Sequence, residues 1–131
     1  MARQKMERWV REYFRCWKEK DTSGLRKLFT ESAVYRSGPF REPLAGTDAI
    51  GAYWRRATRS QRGLEIRVGL PLCDRNHAAV EWWATWKEGK DSITLPGCLV
   101  LRFAPDGRCQ ELREYWDYRS ETLEPPPGWG R

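Results

Sequence analysis

Residues 78–103 read AAVEWWATWKEGKDSITLPGCLVLRF. Ala78, Val80, Trp82, Ala84 and Trp86 recur at every second position, with Glu81, Trp83 and Thr85 between them. A period of two places alternate side chains on opposite faces of a strand, so this run predicts a β-strand with one apolar face. Glu88-Gly89-Lys90-Asp91 then interrupts the pattern with a hairpin loop. After it the alternation resumes on odd positions: Ile93, Leu95, Gly97, Leu99, Leu101 and Phe103. Two long strands joined by a tight loop form an antiparallel pair. The Pro96-Gly97 step inside the second predicts a bend or bulge.

On the C-terminal side, Pro105-Asp106-Gly107 marks another hairpin turn, and Leu112, Glu114 and Trp116 share one face of a last strand. On the N-terminal side, Asp74-Arg75-Asn76 is a turn, preceded by a strand pattern over Leu64, Ile66, Val68, Leu70 and Leu72. Further upstream the period changes. Trp9, Val10, Tyr13, Phe14 and Trp17 fall on one helical face, a wide and unusually aromatic one. Asp21 offers a cap for a short second helix holding Leu25, Leu28 and Phe29. Ser32–Ser37 is β-like, and Gly38, Pro39 and Pro43 mark irregular chain. Gly46-Thr47 opens a third helix with Ile50, Tyr53, Trp54 and Ala57 on one side. Helices first and antiparallel strands after is the α+β order. A sheet that bends at its glycines and prolines can wrap the helices and leave an apolar pocket. Residues 1–131 read as one domain, with 119–131, including Pro125-Pro126-Pro127-Gly128, as a surface tail that cannot extend a strand.

The bulk numbers agree with a globular chain. At 131 residues, 40% hydrophobic and 32% charged, it can bury a core without disulfides or metal. Eight tryptophans call for a deep aromatic core, a lined cavity or an interface. The net charge of +6 is carried mostly by arginines scattered among glutamates. Their one cluster, Arg55, Arg56, Arg59 and Arg62, sits where cations complement the C-terminal end of a helix. A nucleic-acid partner is therefore not expected. The four cysteines form no CxxC pair and the one histidine, His77, falls in a turn, which is too little for a metal site. No segment has the length and apolarity of a membrane span, and a cytoplasmic, reducing setting is expected. Neither a glycine-rich phosphate loop nor a nucleophile–histidine arrangement occurs, and no cofactor is expected.

Two stretches resemble a known superfamily. One runs from Ser32-Ala33-Val34-Tyr35 through Glu42-Pro43-Leu44-Ala45-Gly46-Thr47-Asp48-Ala49-Ile50 to Tyr53-Trp54. The other runs from Leu101-Arg102-Phe103-Ala104-Pro105-Asp106-Gly107-Arg108 to Glu114-Tyr115-Trp116. Together they resemble the nuclear transport factor 2-like (NTF2-like) superfamily, in its SnoaL-like and ketosteroid isomerase-like branch. The resemblance implies a cone: three N-terminal helices packed into a strongly curved mixed or antiparallel sheet that encloses an apolar pocket. It does not imply one activity, since the superfamily holds isomerases, dehydratases, cyclases, epoxide hydrolases and non-catalytic adaptors. Aligned with ketosteroid isomerase, Tyr13 falls at the donor tyrosine, Ser37 at the base, Leu99 at the donor aspartic acid and Trp116 at a pocket-lining tryptophan. Ser37 and Leu99 cannot supply those functions, so the resemblance implies no ketosteroid isomerisation. Leu99-Val100-Leu101 likewise replaces the Arg-x-Asp pattern of the epoxide hydrolase branch.

Strand parity supplies another acid. Leu112 and Trp116 fix the even positions of the last strand as inward, which turns Glu114 inward too. A carboxyl in an apolar cavity has a raised pKa and can act as general acid or base. The bland alternative is a clamp by Arg36 or Arg41. Tyr13 is either the group that stabilises developing negative charge or simply core. The expected pocket is lined by Trp9, Trp17, Tyr35, Ser37, Phe40, Tyr53, Trp86, Leu99, Leu101 and Trp116. Trp83, read as exposed on the opposite face beside Glu81 and Thr85, points to a homodimer. Two function classes follow. One is a cofactor-free acid/base enzyme of isomerase, cyclase or lyase type, acting on a hydrophobic carbonyl- or ring-bearing small molecule. The other is a non-catalytic dimeric module that binds an apolar ligand or a partner chain.

Overall fold

The computed structural model describes residues 1–131. The aromatic stripe at the N-terminus forms α1 (Arg3–Glu19), which ends where Lys20 turns left-handed at φ 56° and its N–H meets the carbonyls of Cys16 and Trp17. Asp21 caps α2 (Thr22–Arg26) by accepting the Gly24 N–H at 2.9 Å. β1 (Phe29–Arg36) and the two-residue β2 (Leu44–Ala45) lead into α3 (Thr47–Thr58). Gly46, at φ 88°, makes the entry to α3, a backbone conformation that side chains with a Cβ resist.

Five strands follow: β3 (Arg62–Val68), β4 (Leu72–Asp74), β5 (His77–Glu88), β6 (Asp91–Phe103) and β7 (Cys109–Trp116). The run expected as one strand over Leu64–Leu72 is two, β3 and β4. Pro71 has no N–H to donate, and the chain between them turns aside at Gly69, whose N–H still reaches Glu81 O at 2.8 Å. The sheet order is β2-β1-β7-β6-β5-β3, with β4 also paired to β5. All pairs are antiparallel except β1 with β7, so the sheet is mixed. It is curled but not closed.

The central hairpin keeps the register its alternation predicts. Val80 faces Leu99, Trp82 faces Gly97 and Trp86 faces Ile93 across β5 and β6, and Leu99 faces Glu114 across β6 and β7. The even set of β5 and the odd set of β6 turn toward α1. Trp17 meets Trp82 edge-on at 5.2 Å between ring centroids, and Trp9 meets Phe103 at 5.5 Å. Burying one such indole removes about 150–250 Å² from water, on the order of 4–6 kcal/mol. Gly97 is a packing requirement: a Cβ there would fall far inside van der Waals contact of Trp82 Cζ2.

The opposite, convex face is covered by the chain itself. After β7, Arg119 bridges to Thr94 on β6. The tail then crosses the face. Thr94 Oγ1 donates to Glu121 O at 2.6 Å and accepts the Leu123 N–H at 3.0 Å, leaving Thr94 buried. Trp83 Nε1 donates to Leu123 O at 2.9 Å, and its ring meets Trp129 edge-on at 6.0 Å. Leu70 N–H donates to Gly130 O at 2.7 Å, with Gly130 packed on Gly69. Trp83 is thus half-buried under the tail rather than exposed, and it lends no support to a dimer across this face. What stays open there is an apolar edge of Val68, Leu70 and Leu72.

Candidate functional site

The concave face is not filled. Between α1, α3 and the sheet lies a cavity of about 240 Å³, mostly hydrophobic in its lining. Five tryptophans wall it: Trp17 from α1, Trp54 from α3, Trp82 and Trp86 from β5, and Trp116 from β7. Tyr35, Tyr53 and Tyr118 complete the aromatic wall, and Arg41, Gln61, Glu88 and Glu114 supply its charge and polarity. A larger open depression of about 320 Å³, edged by Arg26, Lys27, Glu31 and Arg108, lies elsewhere and has one hydrophobic residue in its lining. Arg26 is paired with Asp48 and Arg108 with Asp106, so it offers little free charge.

Glu114 is 8% exposed and reaches the cavity from β7. Tyr35 Oη donates to its Oε1 at 2.5 Å. Burial pushes its carboxyl up to about 7, against the Tyr35 hydrogen bond and the more distant Arg41 charge, which pull the other way. No arginine clamps it. Arg36 pairs with Glu111 at 3.5 Å, and the Arg41 guanidinium lies over the Trp116 ring, 4.9 Å from its centroid. Trp116 is itself fixed by donating Nε1 to Ser37 O at 2.7 Å.

Behind Tyr35 stands Tyr13, their hydroxyls 3.3 Å apart. Burial first, then the charge of Glu114, pushes both phenols well above their ordinary value, so both remain neutral. The same two causes push Tyr53 up to about 12. Tyr35 can therefore donate to Glu114 throughout the physiological range.

At the far wall, Gln61 is 6% exposed at the entrance to β3. Its Oε1 accepts the Trp17 Nε1–H at 2.9 Å, and its backbone carbonyl accepts from Lys20 Nζ at 2.7 Å. Three other wall indoles, Trp54, Trp82 and Trp86, carry buried N–H groups with no partner. Unpaired buried donors are rare in folded proteins. The three nitrogens are enclosed by packing, so they are a cost of the aromatic wall and not donors open to the cavity.

The structure divides the residues expected from sequence. Trp17, Tyr35, Tyr53, Trp86 and Trp116 stand on the cavity wall with Glu114. Tyr13 does not: it is 1% exposed and separated from the cavity by Tyr35. Trp9, one turn earlier on α1, stacks on Tyr13 at 5.2 Å and donates Nε1 to Leu28 O, deeper in the core. Leu99 and Leu101 have the inward parity but are fully buried beneath the helices. Ser37 is buried off the wall and contributes the carbonyl that holds Trp116. Phe40 is fully exposed, because it sits in a turn between β1 and β2 where no sheet or helix fixes its direction. Arg41, expected as a clamp on Glu114, lines the cavity instead from over Trp116. Gln61 and Tyr118 were not expected and lie outside a periodic element, where alternation carries no signal; Trp54 and Trp82, read only as inward-facing, also reach the wall. No cluster of three His, Cys, Asp or Glu side chains is placed to hold a metal ion, and no helix is long and apolar enough to cross a membrane.

Comparison with known proteins bears on this architecture. No curated protein matches the chain in sequence. Among solved structures it is similar to the epoxide hydrolase/cyclase-like enzyme SalBIII, which has a role in pyran ring formation in the polyether salinomycin. That similarity has 22% identity, a TM-score of 0.77, and coverage of 87% of this chain and 92% of that one. It is similar to an LEH-like epoxide hydrolase of M. tuberculosis, with 18% identity, a TM-score of 0.74, and coverage of 87% and 84%. It is also similar to a computationally designed 17-OHP binder, with 19% identity, a TM-score of 0.72, and coverage of 83% and 90%. At these identities the likeness establishes the fold, the NTF2-like cone. The family assignment comes from sequence: residues 10–112, from the middle of α1 to Leu112 on β7, match the SnoaL-like domain. With the cone, the aromatic cavity and that match in agreement, the chain belongs to the SnoaL-like domain family.

Proposed function

We propose that this protein is a cofactor-independent acid/base enzyme, of isomerase, cyclase or lyase type, acting on a small hydrophobic carbonyl- or ring-bearing molecule held in the aromatic cavity. The observation that carries the reading is Glu114: a buried carboxyl on the cavity wall, hydrogen-bonded to no arginine, with a pKa of about 7. Near neutral pH such a group is populated in both forms. It can take a proton as base and return it as acid, which suits proton transfer within one bound molecule. In that cycle the ionised Oε abstracts a proton from substrate, the electron pair moves into the substrate's π-system, and the protonated Glu114 delivers the proton at a second atom. Tyr35 holds the carboxyl in place through its 2.5 Å bond, and Tyr13 acts behind it as a positioning residue. The cavity of about 240 Å³ has room for roughly eight water-sized groups at about 30 Å³ each, the scale of one or two fused rings.

A second reading, a binding module without chemistry, is favoured by one observation. Tyr13 is sealed behind Tyr35, so the hydroxyl expected to stabilise negative charge does not reach the cavity. The two readings separate in one experiment. Solvent deuterium exchange into 2-tetralone, followed by proton NMR, is expected to be accelerated by the wild-type protein. The acceleration should fall by about a hundred- to ten-thousand-fold in Glu114→Gln. Binding of the ketone with no acceleration, in wild type and variant alike, would establish the binding module instead.

A further inference from the structure

The geometry points to Gln61 as a specificity-determining residue: its side-chain NH2 is the donor that receives an oxygen acceptor of the ligand, at the end of the cavity opposite Glu114. This rests on the cavity being a ligand site, which both functional readings share, and not on Glu114 being catalytic.

The orientation of the Gln61 amide is fixed by chemistry. An indole N–H can only donate, so the atom facing Trp17 Nε1 at 2.9 Å must be the amide oxygen. The NH2 is then the other end of the fork, and it donates to no group of the chain. Gln61 is 94% buried by residue, and the space it lines is the cavity. Its backbone is held as well: its N–H donates to Thr58 O at 3.2 Å and its carbonyl accepts from Lys20. A donor whose backbone and oxygen are both tied down, and whose nitrogen is left unpaired beside an apolar cavity, is organised in advance for an acceptor.

Position supplies the rest. Gln61 enters β3, while Glu114 sits on β7, three strand steps away through β5 and β6. Three steps of about 4.8 Å make roughly 14 Å across the sheet, and the register adds distance along it: Glu114 aligns through Leu99 with Val80, whereas Arg62, beside Gln61, faces Lys87. The two groups therefore address opposite ends of one bound molecule. The ligand class is a flat apolar molecule of one or two rings, bearing a carbonyl, hydroxyl or ether oxygen remote from the position that faces Glu114. A site built around a donor discriminates strongly against an analogue that lacks the acceptor.

The test compares 1-tetralone with tetralin, two fused-ring molecules that differ by the ketone oxygen, using heteronuclear NMR titration of the wild-type protein. The expected result is a downfield shift of the Gln61 side-chain NH2 with the ketone alone, and roughly three- to tenfold tighter binding of the ketone. Gln61→Glu keeps an oxygen for Trp17 and, at a pH where its carboxyl is ionised, replaces the donor by a second oxygen, so the preference should vanish there while the hydrocarbon still binds. Gln61→Asn draws the NH2 back and should also lose the preference. The preference is read from binding alone and does not depend on any deuterium exchange into 2-tetralone, which separates this inference from the acid/base reading. Equal affinity for the two probes, a shift of the unpaired indole N–H groups in place of Gln61, or binding of neither probe would overturn it.

Discussion

Trp82 and Trp83 are neighbours in the chain and occupy opposite faces of one sheet. Trp82 is 1% exposed, lies on Gly97, and keeps its N–H unpaired beside the cavity. Trp83 is half-buried, and its N–H is satisfied by Leu123 O. The concave face was closed by helices that left a hollow walled by indoles, three of them with enclosed, unpaired N–H groups. The convex face was closed by a tail that meets Trp83 and Thr94 with hydrogen bonds. A hollow kept open in the interior, while the outside is covered by the tail, is what a ligand site requires.

That contrast can be broken most forcefully at the two tryptophans themselves. Trp82→Ala should cost about 3–5 kcal/mol in chemical denaturation, since it removes a buried ring and leaves its volume empty. Trp83→Ala should cost only about 1 kcal/mol, the scale of one hydrogen bond and a partly exposed ring. Comparable losses at both positions would mean that the tail is as integral as the core.

Glu114 gives the next largest effect, and it depends on pH. Its folded value of about 7 lies above the ordinary 4.5, so the native state holds a proton that the unfolded chain releases between those values. Stability from this group is full below about pH 4.5 and is lost as pH rises through 7. The deficit above that is about 3 kcal/mol. Glu114→Gln should remove the slope, matching wild type near pH 5 and exceeding it at pH 8 in urea melts. A variant less stable than wild type at pH 8 would mean that the ionised carboxylate is welcome where it sits.

Gly97→Ala follows, at about 1–3 kcal/mol, because the added methyl must displace the Trp82 ring. It should also weaken any cavity ligand, which a purely local strain in β6 would not. Deleting residues 119–131 removes the bonds to Thr94, Trp83 and Leu70 but also the entropy cost of ordering the tail, so the net effect should be about 1 kcal/mol, close to that of Trp83→Ala, while the Trp83 side chain becomes accessible to hydrogen exchange. If the truncated chain also self-associates in sedimentation, the tail is what keeps this face from pairing.

The sequence was most informative where a regular element repeats. Alternation from Ala78 to Phe103 placed both central strands and the inward faces of Trp82 and Leu99, and the parity of Leu112 and Trp116 did the same for Glu114, because a one-residue slip would have turned every apolar side chain to water. It did not give depth. Tyr13 and Leu99 have the inward direction but lie under other side chains, and periodicity cannot say whether a buried residue meets a cavity or a neighbour. Phe40 and Gln61 show the other limit. Both lie in connections, where one turns to solvent and the other into the site, and only the tertiary arrangement distinguishes them. The destination of the tail was equally hidden, since prolines state what a segment cannot form and not what it will cover.

The distribution of indoles has a practical consequence. Of the eight tryptophans, five wall the cavity; Trp9 is in the core, and Trp83 and Trp129 form a separate pair under the tail. The protein therefore carries its own optical reporter. Intrinsic fluorescence will be dominated by rings that touch whatever enters the cavity, while the Trp83–Trp129 pair serves as an internal standard on the other side of the sheet. A library of unlabelled compounds can be screened by emission alone, with Trp83→Phe/Trp129→Phe protein to isolate the signal from within.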